Sequence, residues 1–189
     1  MIWRELQRAL KLTALAWVLT VVVYTLPLLG LGQTLLAGAG NGSLIRVENR
    51  VVGSQLLGQA FRRDDYFWPR PSAVNYGAQP DGLSGASNLA PTNPQLVNRV
   101  RAEAARLAQA GLVDPSPDLL LTSASGLDPH ISPEAARQQV ERVARARQLP
   151  PEQLRQLVAT QTEGRLLGIF GEPRVNVLRL NLTLDRLGR

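Results

Sequence analysis

The chain contains no cysteine, which excludes a disulfide scaffold and a thiolate metal site. It has one histidine, His130, so no multi-histidine metal centre can form within a single chain. Lysine is equally scarce: Lys11 is the only one, and the formal net charge of +6 rests on arginine. Those arginines are dispersed, with no Lys/Arg block of the kind a nucleic-acid arm carries, so no nucleic-acid partner is expected. Neither a G-x-x-x-x-G-K-[ST] phosphate loop nor a G-x-S-x-G nucleophile elbow occurs. The expectation is a chain with no catalytic, cofactor-binding or metal-ligating residues.

Charge itself is missing from one long stretch. From Leu12 to Ile45 no ionisable group capable of carrying charge at neutral pH occurs, and Arg4, Arg8 and Lys11 stand just before it. A bilayer core needs about 20 apolar helical residues, and Leu12 to Leu31 supplies that length. Ala37-Gly38-Ala39 offers the small-x-small pattern of a signal-peptidase site. Signal h-regions, however, run about 7–15 residues, and Glu5 is atypical of a signal n-region. The reading is therefore a retained anchor. Basic residues favour the cytoplasmic side, so the N-terminus is expected inside and the remainder outside. The predicted organisation is residues 1–36 as cytoplasmic N-terminus and transmembrane helix, 37–44 as a glycine-rich linker, and 45–189 as an extracytoplasmic domain. Ala9, Thr13, Ala16 and Thr20 share one helical face. A small-residue face suits close approach of a partner helix, and lipid exposure with incidental small residues fits it equally. Pro27 is expected to kink or weaken the outer end of the span.

The exported part reads as α+β, a small β-sheet with about three helices. Ile45, Val47 and Val51 alternate with Arg46, Glu48 and Arg50 as in a strand. Residues 62–95 are rich in Pro, Gly, Asn and Ser, too long for an idle loop, and are expected to be ordered by packing and to carry function. Asn93-Pro94 starts a helix with Leu96, Val97, Val100, Ala104 and Leu107 on one face and Gly111 at its end. Ser132-Pro133 repeats the signal, with Ala136, Val140, Val143 and Ala144 as the buried stripe and Arg137, Glu141, Arg142 and Arg145 as a solvated face. A short helix over 151–160 uses Leu154, Leu157 and Val158. Leu178, Leu180, Leu182 and Leu184 alternate with Arg179, Asn181, Thr183 and Asp185, which predicts a C-terminal strand with a bulge near Val177-Leu178.

Four segments invite a chemical reading. SGLDPHIS (125–132) brings Ser125, Asp128 and His130 together, but sequence adjacency rarely gives triad geometry, so a turn into a Ser132 N-cap is expected. LSGASN (83–88) has small residues that can expose backbone N–H groups to an anion; without a phosphate loop it reads as a tight turn. GEPRVNV (171–177) offers Glu172 and Arg174 as a docking pair or as a surface ion pair. YFWPRPSA (66–73) sets Arg70 between two prolines, where Trp68 can stack on it as part of a stiff binding surface, or aromatics can pack beneath a loop.

These segments occur in order with GSQLLGQAF (53–61), SGASNLAPTNPQL (84–96), RVARAR (142–147), TEGR (162–165) and GEPRVNVLRLNLTLD (171–185). Together with the N-terminal span, they resemble the KdpC family, the small C subunit of bacterial high-affinity potassium-transporting Kdp ATPases, over nearly the whole chain. The chain departs from the family pattern at Ala86, Ala90 and Ala124, where glycine is usual, and at Gln138, where tyrosine is usual. Alanine disfavours positive φ, which weakens any phosphate-cradle reading of Ser84–Asn88.

The resemblance implies a single-pass protein of the bacterial inner membrane, acting as an accessory, non-catalytic subunit. Its implied partners are a potassium-conducting channel-like subunit, a P-type ATPase subunit and a small membrane peptide. The family is described as a catalytic chaperone that raises the ATP affinity of the ATPase subunit. The predicted topology puts the domain across the membrane from cytoplasmic ATP, so any effect on ATP is expected to be indirect, through the membrane subunits. On this reading Ala9, Thr13, Ala16 and Thr20 contact a partner helix, and Arg70, Asn88, Asn93, Asp128, Glu172 and Arg174 dock the outer domain. Two other classes remain as alternatives: an exported hydrolase using Ser125, Asp128 and His130, and a free-standing membrane-anchored binding module.

Overall fold

The computed structural model describes residues 2–77 and 82–187; part of the Pro/Gly-rich segment, 78–81, lies outside the described residues. The Cα packing divides the chain into two units, residues 1–44 and 45–189.

The first unit is a continuous helix, Ile2–Leu35, long and apolar enough to cross a membrane, with none of its apolar window buried. It comprises α1 (Ile2–Trp17), a π-helical stretch (Val18–Thr25) and α2 (Leu26–Leu35). Pro27 has no N–H to give and its ring crowds the carbonyl four residues back. The wide turns just ahead of it absorb that crowding: Leu26 N–H donates to the Val21 carbonyl and the Thr25 hydroxyl to the Thr20 carbonyl at 2.7 Å. The helix passes the proline without ending. A further turn, α3 (Ala37–Gly40), occupies part of the glycine-rich segment.

The second unit begins with a hairpin of β1 (Leu44–Val47) and β2 (Arg50–Ser54). Its two-residue turn puts Glu48 and Asn49 at φ 48° and 63°, the left-handed pair that matches strand twist. The single alternating strand expected here is thus split, and Val51 stays exposed. Among the described residues the chain then passes through a 3₁₀ turn (Asn75–Gly77) to α4 (Pro94–Gln109), where the Asn93 side chain accepts the Gln95 N–H. Gly111, at φ 85°, closes this helix; its N–H reaches the Ala108 carbonyl and the Leu112 N–H the Leu107 carbonyl, each at 2.9 Å. Buried Leu107 and Leu112 sit at the paired positions of that C-terminal motif.

After the short α5 (Pro117–Leu120) and strand β3 (His130–Ile131), Ser132 caps α6 (Pro133–Gln138) by accepting the Ala135 N–H. The chain continues through α7 (Val140–Arg147), α8 (Pro151–Gln161), β4 (Thr162–Glu163) and β5 (Arg174–Asn176). The antiparallel sheet runs β3-β5-β4, pairing Ile131 with Val175 and Thr162 with Val175. Apolar faces of α6, α7 and α8 pack with Phe67, Trp68, Val175 and Leu180 into one core. The fold is α+β.

The C-terminal strand prediction is wrong. Only Arg174–Asn176 is strand, and Val177–Leu187 is helix α9. The leucines do alternate, but the buried set is Val177, Leu178, Leu180, Asn181 and Leu184, a helical face. Leucine favours helix and lacks the β-branch that suits a pleated surface. In place of the predicted bulge, Asn176 caps the helix, its Oδ1 accepting the Arg179 N–H at 3.1 Å.

Candidate functional site

At the start of the Pro/Gly-rich segment, the backbone of Asp64–Trp68 is held by polar side chains from remote helices. Asn181 accepts the Phe67 N–H and donates to the Phe67 carbonyl, both at 2.9 Å. Gln139 does the same for Trp68, at 2.7 and 3.1 Å. Arg142 donates to the carbonyls of Asp64 and Tyr66 and to Gln139 Oε1. Burial pushes its guanidinium down to about 10, against the pull of nearby Asp64, so at neutral pH it remains a charged donor to all three oxygens. Arg147 bonds the Asp65 carbonyl and Asp185, and Asp185 also accepts from the Tyr66 hydroxyl.

Arg142, assigned by its sequence position to a solvated face, is therefore a buried clamp. Trp68 does not stack on Arg70. Its ring lies against Arg142 at 3.6 Å and Arg106 at 4.3 Å, and its indole N–H donates to the Arg63 carbonyl.

Arg70, released from the tryptophan, turns to Asp128: Nη1 lies 3.2 Å from Oδ2. The other carboxylate oxygen of Asp128 accepts the His130 N–H at 3.0 Å and faces its Nδ1 at 3.4 Å. Half-burial alone would raise the Asp128 pKa. The His130 ring and backbone hydrogen bonds, with the charge of Arg70, outweigh that and hold the carboxyl below its ordinary range. The Tyr76 hydroxyl donates to the Arg70 carbonyl, and burial raises this phenol to about 12. Tyr76 therefore stays a donor at any physiological pH.

Two close approaches lock this corner. Gly58 donates to the Leu127 carbonyl at 2.7 Å, and a Cβ there would sit 2.6 Å from the Asp128 carbonyl. Gly85 donates to the Ser125 carbonyl at 2.8 Å and the Ser84 hydroxyl to the same oxygen at 3.0 Å, so Ser84-Gly85 lies against the 123–127 loop and LSGASN does not form the tight turn expected for it. Ala86, Ala90 and Ala124 are not left-handed, as expected; Asn88 is, at φ 49°.

Beside Arg70 and Asp128 opens a groove of about 700 Å³, also lined by His130, Arg137, Glu172 and Arg174. It thus gathers four of the six docking residues picked from sequence. Glu172 and Arg174 do not pair with each other. Glu172 binds Arg165 at 2.8 Å, whereas Arg174 and Arg179 share Glu163 at 3.1 and 2.9 Å. These are exposed pairs of the kind that contribute about 0–1 kcal/mol. Asn93 is engaged in its helix cap and Asn88 is exposed; neither lines the groove.

Ser125, the nucleophile of the hydrolase reading, accepts the Leu127 N–H at 3.1 Å, and Asp128 is engaged by Arg70 and by its own turn. Among the described residues no cluster of His, Asp or Glu has the spacing of a metal centre. Ala9, Thr13 and Ala16 lie on α1, while Thr20 sits in the π-helical stretch and donates to the Ala16 carbonyl at 2.8 Å.

Reading from sequence missed Gln139, Asn181 and Asp185. Their signal is slight: Gln139 falls at the junction of α6 and α7 beside the apolar stripe, and Asn181 on the buried face of α9. It also passed over LLGIF (166–170), an aperiodic apolar run around a glycine.

A family model described as "KdpC: K+-transporting ATPase, c chain" matches residues 6–186. The "Potassium-transporting ATPase KdpC subunit" of Synechocystis sp. is 55% identical over 182 residues, covering 94% of this chain and 95% of that protein. The protein of the same name from Gloeobacter violaceus is 49% identical over 187 residues, covering 98% of each, and that from Bradyrhizobium diazoefficiens is 45% identical over 195 residues, covering 97% of each. The chain belongs to the KdpC family of K+-transporting ATPase c chains.

Proposed function

We propose that this chain is a membrane-anchored, non-catalytic accessory subunit that assembles and stabilises an ATP-driven potassium-uptake complex. One observation carries the reading: the strongest polar side chains of the domain are spent on holding a stiff surface. Gln139, Arg142 and Asn181 bond backbone, and Arg70 and Asp128 bond each other at the edge of an open groove. A rigid surface with mixed charge suits protein docking, because little ordering is required on binding.

The helix Ile2–Leu35 spans the membrane with Arg4, Arg8 and Lys11 inside, and residues 45–189 face outward onto the potassium-conducting and ATPase subunits. The Ala9, Thr13, Ala16 and Thr20 stripe packs on a helix of the conducting subunit. An outward domain acts on ATP use only through the membrane subunits.

Co-purification with an affinity-tagged ATPase subunit tests this. Ala16→Leu and Arg174→Ala are expected to reduce the recovered complex and the potassium affinity of transport. Unchanged yield and affinity in both would remove those residues from the interface. Labelling of a cysteine placed at residue 100 in intact cells is expected from outside; labelling only after the cells are opened would overturn the orientation.

A further inference from the structure

Strands β4 and β5 are joined by a hairpin whose tip is almost wholly apolar. Leu166, Leu167, Ile169 and Phe170 are 70%, 81%, 72% and 62% exposed. The tip is ordered by its own backbone: Leu166 N–H donates to the Phe170 carbonyl at 2.8 Å, Phe170 N–H returns to the Leu166 carbonyl at 3.0 Å, and Gly168 N–H reaches Arg165. Its turn places Leu167 and Gly168 at φ 54° and 76°. Asparagine before glycine is the comfortable choice for such a pair, and a leucine at positive φ is disfavoured. Leu167 gains neither burial nor backbone comfort within this chain. Its side chain is suited to a contact outside it.

The surroundings say what kind of contact. A loop that enters a lipid surface sets free Lys or Arg beside its apolar residues for headgroup phosphates. This tip has no Lys, and each of the three arginines at its base is paired: Arg165 with Glu172, Arg174 and Arg179 with Glu163. An apolar tip whose flanking arginines are all engaged by carboxylates fits a protein cleft with a polar rim. The tip is also continuous with the groove, whose wall includes Glu172, Pro173 and Arg174.

We propose that the Leu166–Phe170 tip is an apolar plug that seats in a hydrophobic cleft on another subunit of the potassium-transporting complex. This rests on the reading of the chain as a complex subunit. The groove edge then supplies the charged rim beside the plug.

The test is photo-crosslinking in membranes from cells making the whole complex, with a benzophenone amino acid replacing Leu167 and, as control, Val113, which is 85% exposed. Position 167 is expected to give an adduct with another subunit, and position 113 none. In parallel, Leu167→Asn, which suits the turn, combined with Phe170→Ser is expected to lower the co-purified complex about tenfold, the loss of one apolar anchor. Lipid adducts alone, an adduct only with a second copy of this chain, or no adduct at 167 would overturn the plug, as would an unchanged yield. If the unaltered chain co-purifies with its partners while 167 fails, the plug falls and the subunit reading stands. If the unaltered chain co-purifies with nothing, the subunit reading falls and takes the plug with it.

Discussion

Gln139 grips the peptide of Trp68 from both sides: its Oε1 accepts the Trp68 N–H at 2.7 Å and its Nε2 donates to the Trp68 carbonyl at 3.1 Å. A fully buried glutamine thereby does for an irregular segment what a neighbouring strand does in a sheet. It completes the backbone hydrogen bonding that burial would otherwise leave unmet. Asn181 repeats the arrangement one residue earlier in the chain, at Phe67.

Gln139→Leu keeps the bulk but strands a buried N–H and a buried carbonyl. Each unmet group costs about 1–3 kcal/mol, so a loss of about 2–6 kcal/mol is expected. Denaturant unfolding of the full chain in detergent measures it, and a loss under about 0.5 kcal/mol would show that the clamp is dispensable.

Asn176→Ala removes the cap of α9 and the bond from its Nδ2 to the Gln55 carbonyl. Cap loss alone costs about 0.5–2 kcal/mol. Far-UV circular dichroism should show less helix on heating, whereas a C-terminal strand would lose no helical signal.

Gly126 sits at φ 67°, and a Cβ on it would lie 2.5 Å from the Val74 side chain and 2.7 Å from the Gly85 carbonyl. Gly126→Ala is expected to cost about 2–4 kcal/mol from backbone strain and overpacking combined. Limited proteolysis should cut near Val74 and Gly85 first, because both pack against Gly126.

Asp128 titrates lower in the fold than in the unfolded chain. Below the unfolded value of about 3.9 the unfolded state therefore binds more protons. The stability from Asp128 is present above that pH and lost as pH falls through the folded pKa. Asp128→Asn should flatten this part of the acid-unfolding curve, measured by Trp fluorescence, while lowering stability at neutral pH. An unchanged acid limb would show that the Arg70–Asp128–His130 contact does not couple to folding.

The sequence alone was sufficient where the signal is local. Leu12 to Leu31, inside the uncharged run, needs only composition and length to be read as an apolar helix long enough to span. Asn93-Pro94 and Ser132-Pro133 start helices because cap and fixed φ act within one turn, and Leu154, Leu157 and Val158 mark α8 by spacing. Motif order likewise sufficed for the family. Tertiary structure decided what depends on remote partners. The leucines of 178–184 satisfy a strand pattern as written, and become helix because Asn181 has the Phe67 backbone to bond and Asn176 caps the turn. Arg142 goes inward because carbonyls 64 and 66, far off in sequence, wait for it. Arg70, Asp128, Glu172 and Arg174 are spread over about a hundred positions; the pairing of β3 with β5 brings Asp128 toward Glu172 and Arg174, and the ion pair with Asp128 adds Arg70. Periodicity records which residues can face the same way; what they face is set by the rest of the chain.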